Sequence, residues 1–229
     1  MILAIIEALS RERERGGAIA FIHTYDNIIS VKNLLTAWWE FLNGKRERKD
    51  VEKFSLHLTD NILLLHQELK NKTYRHSDYK AFKINDPKPR DIHKASVRDR
   101  LLHHAIYRIL YPFFDSKFIF DSYSCRKGKG THRAINRFRE YGRIVSENHT
   151  RTVWVLKCDI RKFFANIDHQ ILLNILSHHI KDKDTIWLSS QIIESFNTQG
   201  RPVVGLPLGN LTSQLLVNIY MNEFDQFMK

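Results

Sequence analysis

Apolar residues recur at helical spacing over most of the chain. Phe54, Leu58, Ile62, Leu65 and Leu69 trace one face for four turns, which predicts an amphipathic helix with that face in the core. Similar spacing predicts further helices over residues 1–16, 31–42, 97–111, 131–143, 169–180, 184–196 and 210–227. Helices therefore dominate the expected fold, and strands are confined to the segments between them.

Three residues mark predicted helix ends. Pro112 should end the helix that begins near Val97, because proline lacks the N–H that the next turn needs. Thr131 and Asp168 precede apolar helical runs and are predicted N-caps. The histidines after Asp168 are expected on the helix surface, since no third ligand stands at a metal-binding spacing. They are His169, His178 and His179.

A β-hairpin is predicted between two of these helices. Tyr79, Phe82 and Ile84 indicate one strand, residues 86–89 carry the turn-forming aspartate and prolines, and residues 90–93 return as the second strand. A basic hairpin could serve as a lid over a triphosphate or a nucleic-acid backbone, although each cation alone could equally be a surface charge. The cations concerned are Lys83, Lys88, Arg90, Arg98 and Arg100.

Residues 153–160 form an apolar run of strand type that ends on one carboxylate, Asp159, followed by Phe163 and Phe164. If the two aromatics continue the strand alternation, one faces the core and the other faces the site. A strand that delivers a carboxylate to its own tip, near basic segments, suits a site that holds a metal ion against a polyphosphate.

The positive charge is concentrated in two segments. The formal net charge is +11, and residues 70–100 hold ten Lys/Arg against four Asp/Glu, while residues 126–143 hold seven against one. Glycines and aromatics are interleaved with these charges, which favours a groove that follows a nucleic-acid backbone. The alternative is a pair of solvated faces.

The second segment begins as a glycine-punctuated loop. Arg126, Lys127 and Lys129 precede a helix start, so charge, backbone amides and the helix dipole could together bind an anion. The spacing GxxxxGK[ST] is absent, so a P-loop kinase or ATPase lacks its main support.

Cysteine usage and the first residues bear on the compartment. Cys125 and Cys158 have no partner at a zinc or disulfide spacing, which fits a reducing environment. The apolar residues of 1–16 come before the charges, the reverse of a secretory signal, and are too few to cross a bilayer. A cytoplasmic location without a membrane partner is expected.

Three segments in fixed order resemble the reverse transcriptases. Residues 157–169, KCDIRKFFANIDH, resemble their first catalytic-aspartate motif, and residues 205–225, GLPLGNLTSQLLVNIYMNEFD, the following motif beneath the nascent base pair. Residues 86–134 resemble their fingers. The resemblance covers about residues 75–228 and is greatest to the bacterial enzymes of group II introns and diversity-generating retroelements.

The resemblance implies an α+β, right-hand polymerase fold. Its fingers are helical and include a β-hairpin. Its partial palm is a small antiparallel sheet backed by helices. The implied division is a helical N-terminal extension over 1–75, fingers over 76–150 and a partial palm over 151–229, without the thumb or the second catalytic motif.

The resemblance also implies roles at the metal and the sugar. Asp159 would bind two Mg²⁺ ions, with the Ile160 carbonyl as a further ligand and Mn²⁺ as an alternative metal. Phe164 would stand against the sugar 2′ position and exclude ribonucleotides. The partners implied are an RNA template, a primer and dNTPs, and an accessory protein is compatible with this set.

Further residues would contact the nucleotide and the nucleic acid. Arg90, and less surely Lys83, would contact the incoming triphosphate. Leu208 and Gly209 would lie against the nascent pair, where glycine lets the backbone approach. The remaining cations would contact nucleic acid and are Arg98, Arg126, Lys127 and Lys129.

Two departures from the family pattern change the expectation. Many members have Gln where this chain has Leu208, and Ser-Pro where it has Ser213-Gln214, a pattern like that of the error-prone diversity-generating enzymes. The second aspartate motif is absent, and one carboxylate with one carbonyl cannot hold two ions about 3.5–4 Å apart. The chain is therefore expected to be an inactive polymerase fragment.

Two other functions remain open. One is a non-catalytic RNA-binding module with a polymerase-like fold, of a maturase type or a split subunit. The other is a viral-type RNA polymerase, which Phe164 disfavours because RNA synthesis needs room for the 2′-hydroxyl.

Overall fold

The computed structural model describes residues 20–85 and 88–229. The predicted helix over 1–16 and the turn residues Asp86 and Pro87 lie outside this part. The helices are α1 Tyr25–Ile29, α2 Val31–Phe41, α3 Lys49–Ser55, α4 Leu58–Lys70, α5 Val97–Asp115, α6 Thr131–Val145, α7 His169–His179, α8 Lys183–Ile193 and α9 Leu211–Met228. The strands are β1 Lys80–Ile84 and β2 Arg90–Lys94, and a 3₁₀ turn spans Phe163–Asn166. The predicted α+β class is confirmed.

The core is helical, and α5 lies at its centre against α2 and α9. Trp38 and Phe41 of α2 are buried with Leu101 and Leu102 of α5, as their 3–4-residue spacings predict. The Asn33 side chain donates hydrogen bonds to the carbonyl oxygens of Ile28, at 2.8 Å, and Ala105, at 3.1 Å. These bonds satisfy a buried amide and fix α2 on α5.

Two predicted helix boundaries are wrong. The helix expected from Phe54 onward is interrupted by a turn at Leu56 and His57, although Ile62, Leu65 and Leu69 are buried as predicted. Pro112 does not end α5, which continues to Asp115. Buried Tyr111 and Phe114 hold this last turn in the core, so packing outweighs the missing N–H.

The predicted hairpin is confirmed. β1 and β2 are antiparallel, with Lys83 opposite Asp91 and Ile84 opposite Arg90. They form the only named sheet in the described part of the chain.

The predicted strand over 153–160 is wrong. The segment is irregular, with Trp154 95% and Leu156 84% exposed. A strand is stabilised by hydrogen bonds from a neighbour, and no strand pairs with this segment within residues 20–85 and 88–229. The small palm sheet is accordingly not formed there.

The predicted caps and the histidine prediction give mixed outcomes. Asp168 caps α7, since its Oδ1 accepts a hydrogen bond from the amide of Ile171 at 3.0 Å. Gly130 is the N-cap of α6, so Thr131 is the first helical residue instead of the cap. His178 is exposed as expected, whereas His169 is buried.

Among the described helices, none is long and apolar enough to cross a membrane.

Candidate active site

Asp159 and Ile160 lie on the exposed segment before the 3₁₀ turn. The carboxylate and the main-chain carbonyl are hard oxygen donors of the kind that Mg²⁺ prefers, so their chemistry fits that ion. No group of three His, Cys, Asp or Glu residues converges on a potential metal position in the described ranges. The two donors can therefore form only part of a two-ion site.

The two aromatics after Asp159 do not alternate as in a strand, so that prediction is wrong. Lys162 has a left-handed φ of 51°, which turns the chain into the 3₁₀ turn that contains Phe163 and Phe164. Asn166 holds this turn, because its side-chain amide donates to the carbonyl oxygens of Arg161, at 3.1 Å, and Lys162, at 3.0 Å. Both rings are half-buried and lie edge to face, 6.2 Å apart.

Main-chain hydrogen bonds fasten this turn to the loop before α9. The Leu206 amide donates to the carbonyl oxygen of Phe164 at 2.8 Å, and the Gly205 amide donates to that of Ile167 at 2.7 Å. The Thr198 hydroxyl donates to the Ala165 carbonyl oxygen at 2.9 Å. The predicted sugar gate, Phe164, is thus held by a loop about 40 residues further along the chain.

Gly205 and His169 are site-supporting residues that the sequence analysis missed. Gly205 has φ +111°, and a Cβ there would lie 2.2 Å from Thr198 Oγ1. Its carbonyl oxygen lies 2.7 Å from His169 Nε2, and a carbonyl can only accept, so Nε2 carries the proton. The glycine in GLPLG was the available signal, but its contacts come from other segments.

The Leu208–Asn210 segment is hydrogen-bonded to the β1–β2 hairpin. The His93 amide donates to the carbonyl oxygen of Leu208 at 3.0 Å, and the Asn210 side-chain amide donates to that of His93 at 2.8 Å. Gly209 has φ +100°, and a Cβ there would lie 2.8 Å from Ile92 Cγ2. Glycine is required here by the approach of β2, whereas its contact with a nascent base pair stays a prediction.

The hairpin separates the two predicted triphosphate ligands. Lys83 pairs with Asp91 and Arg90 with Ile84, and neighbouring side chains alternate between the faces of a strand. Lys83 and Arg90 therefore lie on opposite faces. Both are exposed, and Arg90 shares its face with Ile92, which contacts Gly209. The structure brings Arg90, and not Lys83, to the face that meets the Leu208–Asn210 segment.

Two predicted nucleic-acid ligands are occupied by internal contacts. Arg98 donates to Glu68 at 2.7 Å and to the Arg75 carbonyl oxygen at 2.5 Å. The Arg126 side chain is only 7% exposed and donates to the Asp115 carboxylate at 2.7 Å. It also donates to the carbonyl oxygens of Asp115, Ile119 and Ser122. Both arginines hold loops and helices together in this structure.

Lys127 and Lys129 are differently placed. Lys129 Nζ donates to the Phe120 carbonyl oxygen at 2.6 Å and lies 3.7 Å from the centre of its ring. Lys127 is exposed and lines a cleft of about 1100 Å³ against the α2–α3 loop. This basic cleft was not anticipated, and the other cations that line it are Lys45, Arg46 and Arg48.

Most of the chain matches the model of a known protein family. Residues 82–229 match the model described as "Reverse transcriptase (RNA-dependent DNA polymerase)". The chain belongs to the reverse transcriptase family. The matched range begins in β1 and includes Asp159, Phe164, Leu208 and Gly209, whose individual roles stay predictions.

Relatives support the same membership of the reverse transcriptase family. The chain is 29% identical over 181 residues to the group II intron-encoded protein LtrA of Lactococcus lactis subsp. cremoris, covering 74% of this chain and 28% of that protein. It is 28% identical over 91 residues to nuclear intron maturase 1, mitochondrial, of Arabidopsis thaliana, covering 40% and 12%. It spans 18 to 35% of the length of several curated relatives that it matches.

A solved structure shows the same fold. A chain of the partial Cas6-RT-Cas1--Cas2 complex superposes with a TM-score of 0.59 at 22% identity, covering 90% of this chain and 35% of that chain. The superposition covers more of the chain than the 82–229 range of the reverse transcriptase model, so it also includes helices before the hairpin. The architecture is thus that of a reverse transcriptase.

Proposed function

We propose that the chain forms the fingers and partial palm of an RNA-directed DNA polymerase, which adds dNTPs to a primer 3′-hydroxyl on an RNA template. The observation that carries this proposal is the hydrogen bond between His93 and Leu208. It places the strand that presents Arg90 beside the Leu-Gly motif, so a triphosphate and a nascent base pair would be bound by one connected unit.

Asp159 and the Ile160 carbonyl would hold Mg²⁺, with Mn²⁺ as an alternative, together with carboxylates from outside the described residues. When bound, the ions would activate the primer hydroxyl and neutralise charge on the triphosphate. Arg90 would bind the triphosphate through its guanidinium, which suits bidentate contact with phosphate oxygens. Phe164, fixed through its carbonyl to Leu206, would occupy the space that a 2′-hydroxyl needs.

The proposal is tested by primer extension on an RNA template with dNTPs and Mg²⁺. The chain of 229 residues should be inactive, and a chain lengthened after Lys229 by a segment that supplies an aromatic residue and two adjacent aspartates (the extended chain) should be active. Asp159→Asn in the extended chain should abolish synthesis while RNA binding is retained. Asp60→Asn, an exposed carboxylate on α4, is the control and should change neither. Synthesis by the 229-residue chain, or by the Asp159 variant, would refute this site.

Two substitutions test the assignments at the nucleotide. Phe164→Ala in the extended chain should admit ribonucleotides, because it removes the steric block at the 2′ position. Leu208→Gln should lower misincorporation if leucine, which offers only shape, underlies relaxed fidelity. An unchanged error spectrum would remove Leu208 from the proposal.

A second candidate is a non-catalytic RNA-binding module of a maturase type. The basic cleft between Lys127 and the α2–α3 loop favours it, since backbone binding needs no catalytic carboxylate. The relative from Arabidopsis thaliana is named a maturase. If the extended chain binds RNA but makes no DNA, and Asp159→Asn leaves RNA binding unchanged, this second function is supported instead. The matched solved chain belongs to a complex, so an accessory protein is included among the proposed partners.

A further inference from the structure

The carboxylate of Asp99 lies fully buried at the base of the fingers hairpin. Its Oδ2 accepts hydrogen bonds from the Ser77 amide, at 3.1 Å, and from the Ser96 hydroxyl, at 2.6 Å. Its Oδ1 accepts one from the Tyr74 hydroxyl at 2.9 Å. Ser77 precedes β1 and Ser96 follows β2, so this one side chain joins the chain that enters the hairpin to the chain that leaves it.

Helix capping alone does not explain this arrangement. Ser96 already caps α5, because its hydroxyl accepts a hydrogen bond from the Asp99 amide at 3.2 Å. The bonds to Ser77 and Tyr74 come from residues 22 and 25 positions earlier in the chain and add nothing to the cap. Their effect is to fix the segment that leads into β1.

The side chains around Asp99 extend the same connection. His76 is stacked between Tyr79 and His103, with ring centres 4.7 and 5.3 Å away, and its Nε2 lies 3.2 Å from His103 Nε2. The Tyr79 hydroxyl lies 2.8 Å from the Ser195 hydroxyl, just after α8. The base of the hairpin is therefore a buried polar network attached to the rest of the molecule.

The charge of Asp99 is retained despite its burial. Burial opposes ionisation, but His76, the hydrogen bond from Ser96 and the Arg98 charge together hold the pKa of the Asp99 carboxyl below its ordinary value. Arg98 Nη2 lies 3.4 Å from Oδ1. An ionised acceptor makes stronger hydrogen bonds than a neutral one. The hydrogen bonds from Ser77, Ser96 and Tyr74 to Asp99 are therefore strengthened by its charge.

We propose that Asp99 is a positioning residue that sets the orientation of the fingers hairpin and so the affinity for the incoming dNTP. The inference rests on the proposed function, because it takes Arg90 of that hairpin as the triphosphate ligand. Asp99 itself contacts no substrate. It acts through the rigidity of the two hairpin ends that it joins.

The first test measures amide hydrogen exchange of the 229-residue chain. Asp99→Asn keeps the shape of the side chain but cannot accept all three bonds as an anion, so the β1 and β2 amides should exchange about tenfold faster. Asp182→Asn is the matched control, since that carboxylate caps α8 and accepts from Asp184 and Thr185 away from the hairpin. Unchanged hairpin exchange in Asp99→Asn, or an equal increase in Asp182→Asn, would overturn the proposal.

The second test measures steady-state kinetics of the extended chain. Asp99→Asn should raise the KM for dNTP about tenfold and leave kcat within about twofold, because the chemistry is untouched. A fall in kcat at unchanged KM would instead indicate a merely structural role and would overturn the proposal. If the wild-type extended chain makes no DNA, the proposed function fails, whereas the exchange experiment still decides whether Asp99 holds the hairpin.

Discussion

The backbone amide of His93 donates a hydrogen bond to the carbonyl oxygen of Leu208 at 3.0 Å. β2 thereby has partners on both edges, β1 on one side and the Leu208–Asn210 segment on the other. The side chain of Ile92 covers Gly209 between these contacts. β2 and the Leu208–Asn210 segment are therefore held together, and a substitution in one should affect the position of the other.

Gly209→Ala tests the contact between that loop and β2. The new Cβ would lie 2.8 Å from Ile92 Cγ2 in a backbone with φ +100°, so both steric overlap and backbone strain oppose it. We expect a loss of about 1–3 kcal/mol in the free energy of unfolding, measured by urea denaturation. Gly142→Ala is the control, because a Cβ at this site in α6 would meet nothing within 4 Å, and it should be neutral or stabilising. Equal effects of the two variants would contradict the contact.

Arg90→Ala and Lys83→Ala test the two faces of the hairpin. Arg90 shares a face with Ile92 and Lys83 does not, so only loss of Arg90 should raise the KM for dNTP strongly in the extended chain. Loss of a charge-assisted phosphate contact corresponds to about 1.5–3 kcal/mol, or a rise of about 10- to 100-fold. A comparable rise in the KM for dNTP in Lys83→Ala would show that both faces of the hairpin contribute to dNTP binding, contrary to the prediction.

Arg126→Ala and Lys127→Ala should separate stability from RNA binding. Arg126 is buried against Asp115 and three carbonyl groups, so its loss should destabilise the chain by about 2–4 kcal/mol in thermal or urea unfolding. Lys127 is exposed in the basic cleft, so its loss should leave stability unchanged. Loss of Lys127 should weaken RNA binding and reduce the slope of log affinity against log salt concentration by about one. Binding that is insensitive to salt would contradict an electrostatic groove.

His103 should make folding stability depend on pH. Burial, with the nearby His76 charge, lowers the pKa of His103 from 6.5 to about 3. Between these values the unfolded chain binds a proton that the folded chain does not, so this stability is full above pH 6.5 and is lost as the pH falls towards 3. His103→Gln should reduce the difference in unfolding free energy between pH 7 and pH 5 by about 2 kcal/mol, because the full slope of about 1.4 kcal/mol per pH unit applies only below pH 6.5. An unchanged dependence of the unfolding free energy on pH in His103→Gln would refute the burial argument.

Local patterns predicted the parts of the fold that local physics determines. The spacing of Ile62, Leu65 and Leu69 gave a buried helix face, and the position of Asp168 before an apolar run gave the cap of α7. The alternation around Phe82 gave β1. In each case the residues that form the pattern lie within a few positions of one another, so the sequence carries the signal directly.

Several predictions that failed depended on distant residues. His169 can be buried because its Nε2 donates a hydrogen bond to the Gly205 carbonyl oxygen, 36 residues later. Arg126 is satisfied by Asp115 on another element, so its charge is not free as the loop pattern suggested. The strand ending at Asp159 needed a partner that no local pattern could supply. Partners far along the chain cannot be deduced from spacing alone.

The exposed segment around Trp154 and Leu156 has one further consequence. Exposed aromatic and aliphatic side chains outside any sheet are expected to associate with the same segment of another molecule. Trp154 and Leu156 lie five and three residues before Asp159, so self-association through this segment would cover the predicted metal ligand. Self-association of the chain and access to Asp159 would therefore depend on the same short segment.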